Sequence, residues 1–206
     1  MNQKRKIKIG ITGSIGSGKS SVSNILIELG FIVLNADSIS KELLQTNQKL
    51  KEKIIKQFGA NAYEGGTLNK KYLAEKVFSN EGEVRKINAI VHPEVKKRIT
   101  SLADDYLQNM DMVFAEAALI YEADMENIFD YIILVTASEE KRMQRKIKFE
   151  NYSEDEFAKR NQNQIPDDEK KKRADFIIEN NGSPEELKLR TKFTVKILEG
   201  LLSTNA

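Results

Sequence analysis

Apolar residues alternate through "KIKIGIT" (Lys6–Thr12), where Ile7, Ile9 and Ile11 share one side; that period of two predicts a strand. The period then lengthens. Val22, Ile25, Leu26 and Leu29 mark one face of a helix from about Lys19 to Leu29, with Gly30 as its C-cap. Phe31–Ala36 reads as a second buried strand, followed by a long helical stretch from about Ser38 to Phe58. Gly59, Gly65 and Gly66 punctuate "GANAYEGGTLN" as a loop. Helical patterns resume over Lys70–Ser79 and Val84–Leu107, the second interrupted near His92-Pro93. Three more apolar runs predict strands: "MVFAEAALIY" (Met112–Tyr121), Tyr131–Ala137 and Ala174–Asn180. Helix starts are marked by Ser138 before Glu139 and Glu140, and by the capping-box pairs Ser153/Glu156 and Ser183/Glu186, with Pro184 at a first helical position. Short apolar strands alternating with helices predict an α/β fold with a mainly parallel sheet. The helical stretch between the second and third strands reads as inserted.

Between the first strand and the first helix lies "GSIGSGKS" (Gly13–Ser20), which fits neither a core nor a helix interior. Its spacing matches G-x-x-x-x-G-K-S/T at Gly13, Gly18, Lys19 and Ser20. Glycines let a backbone turn tightly and bring N–H groups close to a ligand. Successive N–H groups form an anion-binding concavity, and the helix that follows adds the positive end of its dipole. Gly13, Ser14, Ile15, Gly16, Ser17, Gly18, Lys19, Ser20 and Ser21 are therefore expected to bind the phosphates of ATP. Lys19 would reach the β- and γ-phosphates and the Ser20 hydroxyl would bind Mg²⁺.

Composition narrows the field. The 206 residues carry 33 basic and 31 acidic side chains, a net charge of +2, which gives no general case for nucleic acid or membrane binding. The absence of cysteine excludes disulfides and thiol catalysis, and a single histidine, His92, makes a histidine-ligated metal site a poor fit. No apolar run approaches the ~20 residues of a spanning helix. The basic N-terminus leads straight into the first strand without the apolar core of a signal peptide. The length fits one domain with an inserted subdomain.

Other positions carry chemistry less unambiguously. Asp37 follows the second strand, where a carboxylate could take a proton from an attacking hydroxyl or could equally be the N-cap of the next helix. Glu116 sits in an apolar run, where a lone carboxylate is costly unless paired or metal-bound. Glu122 gives a weaker signal. Arg142, Arg145 and Arg160 could close over ATP or simply face solvent. "DDEKKKR" (Asp167–Arg173) reads as a solvated charge run. The phosphate loop alone does not separate a kinase from a switch. The lack of an N-K-x-D motif, the inserted helices and the arginine-bearing late helix favour a small-molecule kinase.

Several segments in order resemble the dephospho-CoA kinase family. They are "GITGSIGSGKSSV", "GFIVLNADSISKEL", "GGTLNKKYLAEKVF", "INAIVHPEV", "AEAALIYE" and "ADFIIENNGS". The resemblance implies a P-loop NTPase-type parallel sheet flanked by helices, in a single domain over residues 1–206, with a helical substrate-binding insert (about 40–105) and a lid (about 142–170). It implies ATP-dependent phosphorylation of the ribose 3′-hydroxyl of dephospho-CoA, with ATP and Mg²⁺, in the cytoplasm, and with no nucleic acid, membrane or protein partner required. Asp37 matches the second D of the family's D-A-D, its catalytic carboxylate, with Lys19 and Arg145 also catalytic. Lys70, His92, Glu116 and Glu122 match substrate-side positions, and Asn180 and Gly182 match the late loop near the adenine. Asn35, Ala118, Lys70 and Phe149 depart from the family pattern. A kinase acting on nucleosides or nucleotides, and a slow nucleotide-hydrolysing switch, are the two alternatives. Acceptor-dependent ADP release separates the switch from the kinases, and the acceptor's identity separates the kinases.

Overall fold

The computed structural model describes residues 5–77 and 81–203. They form two compact units, one of residues 5–34 with 103–203 and one of Asn35–Leu102. In chain order the elements are β1 (Ile7–Thr12), α1 (Lys19–Glu28), β2 (Ile32–Asn35), α2 (Ala36–Thr46), α3 (Gln48–Phe58), β3 (Tyr63–Glu64), β4 (Thr67–Leu68), α4 (Lys70–Val77) and α5 (Glu81–Tyr106). They continue with β5 (Met112–Glu116), β6 (Tyr131–Thr136), α6 (Glu139–Glu150), α7 (Glu154–Gln162), α8 (Asp167–Arg173), β7 (Phe176–Glu179) and α9 (Pro184–Ser203).

The first unit is built on a five-stranded sheet in the order β2-β5-β1-β6-β7. β1 is central and parallel to β5 and β6, and β6 is parallel to β7. A parallel sheet is covered on both faces, so its strands are buried without alternation. All five residues of β5 are buried, as are five of six in β6. Ile9, Ile11, Leu26, Phe114 and Leu198 are wholly enclosed in the core that α1 and α9 cover. Burying each such side chain is worth roughly 1.5–3 kcal/mol. Phe31 meets Phe114 edge-on at 5.4 Å between ring centroids. The serine starts hold: Ser138 accepts from Lys141 N–H, Ser153 and Glu156 form a reciprocal capping box, and Ser183 and Glu186 do likewise.

Several elements differ from expectation. The stretch expected as one helix from Ser38 to Phe58 is two, because Asn47 adopts extended backbone and its Oδ1 accepts Leu50 N–H at 3.0 Å. An asparagine that bonds the backbone ahead of it starts a new helix rather than continuing the old one. The loop around Gly65 and Gly66 contains a hairpin, β3 paired antiparallel with β4. The expected break at His92-Pro93 is absent: α5 runs through Pro93. Proline inside a helix costs about 3 kcal/mol. Within the second unit Val91, Val95 and Ile99 are all buried at four-residue spacing, and together they outweigh that cost. The third strand ends at Glu116 rather than Tyr121; residues 117–124 turn, with Ala123 N–H reaching Leu119 O. The expected helix over Lys70–Ser79 is described to Val77, and its last two residues lie outside the described residues, as do the first four of the chain. Among the described residues no helix is long and apolar enough to cross a membrane.

Candidate active site

β1 ends at Thr12 and α1 begins at Lys19, so the six residues between them form the loop. All three loop glycines, Gly13, Gly16 and Gly18, are needed for space as well as for backbone angle. A Cβ on Gly13 would sit 2.2 Å from the Val135 carbonyl oxygen of β6, and one on Gly18 would sit 2.1 Å from Asn180 Nδ2. Gly18 is also the N-cap of α1, with φ of 96°. Its lack of a side chain leaves that helix end with no side-chain cap, which suits an anion.

The loop carbonyls are held from behind. Lys19 Nζ donates to Gly13 O at 2.6 Å and Ser14 O at 3.2 Å. Arg142 donates to Ile15 O at 3.3 Å. Arg145 NH1 lies 3.4 Å from both Gly16 O and Ser17 O, and Asn180 Nδ2 donates to Ser17 O at 2.9 Å. Across a trans peptide the C=O and the next N–H point oppositely. Holding the Ile15 and Ser17 carbonyls this way turns the Gly16 and Gly18 N–H groups to the other side, where they can form an anion nest.

A second group stands at the helix end. Ser20 Oγ donates to Glu116 Oε1 at 3.0 Å. The β1–β5 register pairs Ile11 with Glu116, and Ala117 N–H bonds Ile11 O at 2.9 Å. This register carries the buried Glu116 to the start of α1. A hydroxyl and a carboxylate side by side are hard oxygen donors, the kind Mg²⁺ takes alongside substrate phosphates. Among the described residues no group of three or more histidine, cysteine or acidic side chains forms a complete metal cage.

The arginines divide. Arg142, for which the sequence left both closure over ATP and a solvent-facing position open, is buried beneath the loop. Its guanidinium donates to Ala137 O, Ile15 O and Asn161 Oδ1, and it lies 5.7 Å from the Phe157 ring centroid. Arg145 bridges the loop to Asn180 O at 2.7 Å, and burial lowers its pKa from the ordinary value. Arg160 stacks over Tyr152, and Phe149 is exposed. Asn180 is buried, its N–H on Thr136 O and its amide on Ser17 O. Gly182 lies tight against the Glu186 carboxylate. Ser21 is exposed on α1.

In the second unit, Asp37 is not the N-cap. Asn35 is, its Oδ1 accepting Ser38 N–H at 2.8 Å, and Asp37 is exposed in the first turn of α2. Lys70 is the exposed first residue of α4, and His92 is half-buried in α5, where desolvation lowers its pKa below the usual 6.5.

Four contributors were missed from sequence: Gln164, Asp167, Lys170 and Asn161. Gln164 Oε1 accepts Ile15 N–H at 2.8 Å, and Asp167 accepts the Ser14 hydroxyl. The charge run expected to be solvated is α8, and its Lys170 is wholly buried against Glu122. The only sequence signal was a cation at the fourth position of that run, indistinguishable from its solvated neighbours.

A family model described as dephospho-CoA kinase matches residues 7–186. A dephospho-CoA kinase of Carboxydothermus hydrogenoformans is 37% identical over 179 residues, 86% of this chain and 87% of that protein. A crystal structure from Thermus thermophilus superimposes with a TM-score of 0.79 at 34% identity, covering 95% of this chain and 99% of that one. A Campylobacter jejuni dephospho-CoA kinase follows with a TM-score of 0.64 at 26% identity over 93% of this chain and 96% of that one. With the family match spanning the loop, the Ser20–Glu116 pair and the late Asn180 turn, the chain belongs to the dephospho-CoA kinase family.

Proposed function

We propose that this chain transfers the γ-phosphoryl group of ATP to the ribose 3′-hydroxyl of dephospho-CoA, giving coenzyme A and ADP. The observation that carries the proposal is the family match over residues 7–186. The carbonyl-tethered loop beside Ser20 and Glu116 supports reading a phosphate site there. The acceptor oxygen forms a bond to the γ-phosphorus as the bond to the β–γ bridging oxygen breaks. The hydroxyl proton passes to the Asp37 carboxylate. Phosphoryl transfer of this kind is loose and largely dissociative, so positioning and charge stabilisation dominate.

In this reading Gly13–Ser21 cradle the phosphates, with Lys19 leaving the Gly13 and Ser14 carbonyls to meet the β- and γ-oxygens. Arg145 adds charge beside the loop, and Asn180 and Gly182 border the adenine. Ser20 and Glu116 are the residues that would hold Mg²⁺, which would supply positive charge to offset that developing on the transferred phosphoryl group. The acceptor is held by Lys70 and His92, the latter neutral and hydrogen-bonding. Residues from about 40–105 serve as the substrate insert and about 142–170 as the lid of one kinase domain acting in the cytoplasm.

The test is an acceptor screen with Mg²⁺ and ATP, scored by product mass. One added phosphate on the dephospho-CoA ribose is expected. Efficient phosphorylation of a nucleoside with dephospho-CoA left unmodified would overturn the assignment. ADP release without any acceptor would point to the switch.

A further inference from the structure

The phosphate loop is tied to a segment far along the chain, and that segment is itself tied down twice. On the loop side, Gln164 Oε1 accepts Ile15 N–H and Asp167 Oδ1 accepts the Ser14 hydroxyl. On the other side, Ile165 N–H donates to Glu122 Oε1 at 3.0 Å, and Lys170 Nζ lies 3.0 Å from that same oxygen. The contacts alternate along the chain: 164 to the loop, 165 to Glu122, 167 to the loop, 170 to Glu122. Pro166, the N-cap of α8, restricts the backbone between them.

Lys170 is wholly buried and Glu122 partly buried, its side chain 15% exposed. A buried ion pair is weak evidence for stability, because a well-packed apolar pair often does as well. Stability alone therefore explains this pair poorly. What the pair supplies is direction: one carboxylate oxygen holds the chain at Ile165 and Lys170, while Gln164 just before that span and Asp167 within it reach Ile15 and Ser14. Those are the third and second of the loop's six residues.

We propose that Gln164–Lys170 is a strap that holds the first turn of the phosphate loop in its nucleotide-accepting shape. Glu122 and Lys170 are positioning residues that act through Gln164 and Asp167. The inference rests on reading this loop as the ATP site. It assigns Glu122 to the nucleotide side of the reaction, in place of the substrate contact expected from the sequence.

The test is a double-mutant cycle on nucleotide affinity, measured by calorimetry with Mg²⁺ and a non-hydrolysable ATP analogue. Lys170→Met and Gln164→Ala should each weaken binding about tenfold, the scale of coupling through positioning residues. Combined, they should weaken it about tenfold again from wild type rather than about a hundredfold, because both break one link. kcat at saturating ATP should stay within about threefold, so the loss falls on KM. Glu122→Gln keeps an acceptor oxygen for Ile165 but leaves the buried Lys170 charge uncompensated, and should weaken binding about as Lys170→Met does. Additive losses, or unchanged affinity in folded Gln164→Ala, would overturn the strap. Should Lys170→Met not fold, Glu122→Leu/Lys170→Met preserves burial while removing the Ile165 acceptor; normal affinity there would also overturn it. Failure of wild type to bind the analogue would instead sink the ATP reading of the loop.

Discussion

Replacing Asp37 by asparagine separates a chemical role from a structural one, because the structure gives the helix cap to another residue. Asn35 Oδ1 caps α2 through Ser38 N–H at 2.8 Å. Asp37 is exposed in the first turn, where its charge lies at the positive helix end. That interaction is worth about 0.3–1 kcal/mol at an exposed site. For a chain of this size it corresponds to a fall in melting temperature of no more than about 4 °C. If Asp37 accepts the acceptor's proton, the amide cannot replace it. General-base loss costs about 10²–10⁴-fold, and a loose transition state places Asp37→Asn near 10²-fold, or about 2.7 kcal/mol. The assay is steady-state kinetics with dephospho-CoA beside a melting curve. kcat should fall about a hundredfold, with KM for ATP little changed. Asn35→Ala should show the opposite signature, losing about 0.5–2 kcal/mol of cap stability. Asn35→Asp should keep both stability and rate, since aspartate caps as well as asparagine. Wild-type kcat in folded Asp37→Asn would refute the catalytic assignment.

Gly13→Ala places a Cβ 2.2 Å from a backbone oxygen of β6 that has no room to yield. It should cost at least about 2 kcal/mol, seen as a melting temperature lower by about 4–8 °C. Glu116→Gln keeps a partner for Ser20 but loses the charge. It should raise the Mg²⁺ concentration needed for half-maximal rate about 10–100-fold, and an unchanged requirement would remove Glu116 from the metal site. Burial lowers the pKa of His92, so the unfolded chain binds its proton more readily. Its contribution to stability is present above about pH 6.5 and lost as pH falls below it. Wild type should therefore lose more melting temperature between pH 7.5 and pH 5 than His92→Gln does; equal losses would contradict this.

Features encoded within a few neighbouring residues were legible in the sequence. The phosphate loop needs only glycines, a lysine and a serine at fixed spacing between a strand and a helix, and Gly13–Ser20 has them in that setting. The strands were visible because a parallel sheet buried on both faces writes continuous apolar runs. Ser138, Ser153 and Ser183 marked their helices because a cap is a bond to the backbone three residues on. Tertiary structure decided what depends on distant partners or on competing local choices. Pro93 stays helical because one face of α5 is buried, and Asn35 rather than Asp37 takes the cap although both residue types suit it. Arg142, which the sequence left open between an ATP contact and a solvent-facing position, is a buried support beneath Ile15 because the loop carbonyls lie within its reach. The strap is the clearest case. Gln164 meets Ile15 across 149 residues of sequence. Lys170 is buried while its neighbours Lys171 and Lys172 stay exposed, because only the fourth position of α8 turns toward Glu122. A run of charges looks alike residue by residue, and which of them loses its water is set by the carboxylate the fold brings to it.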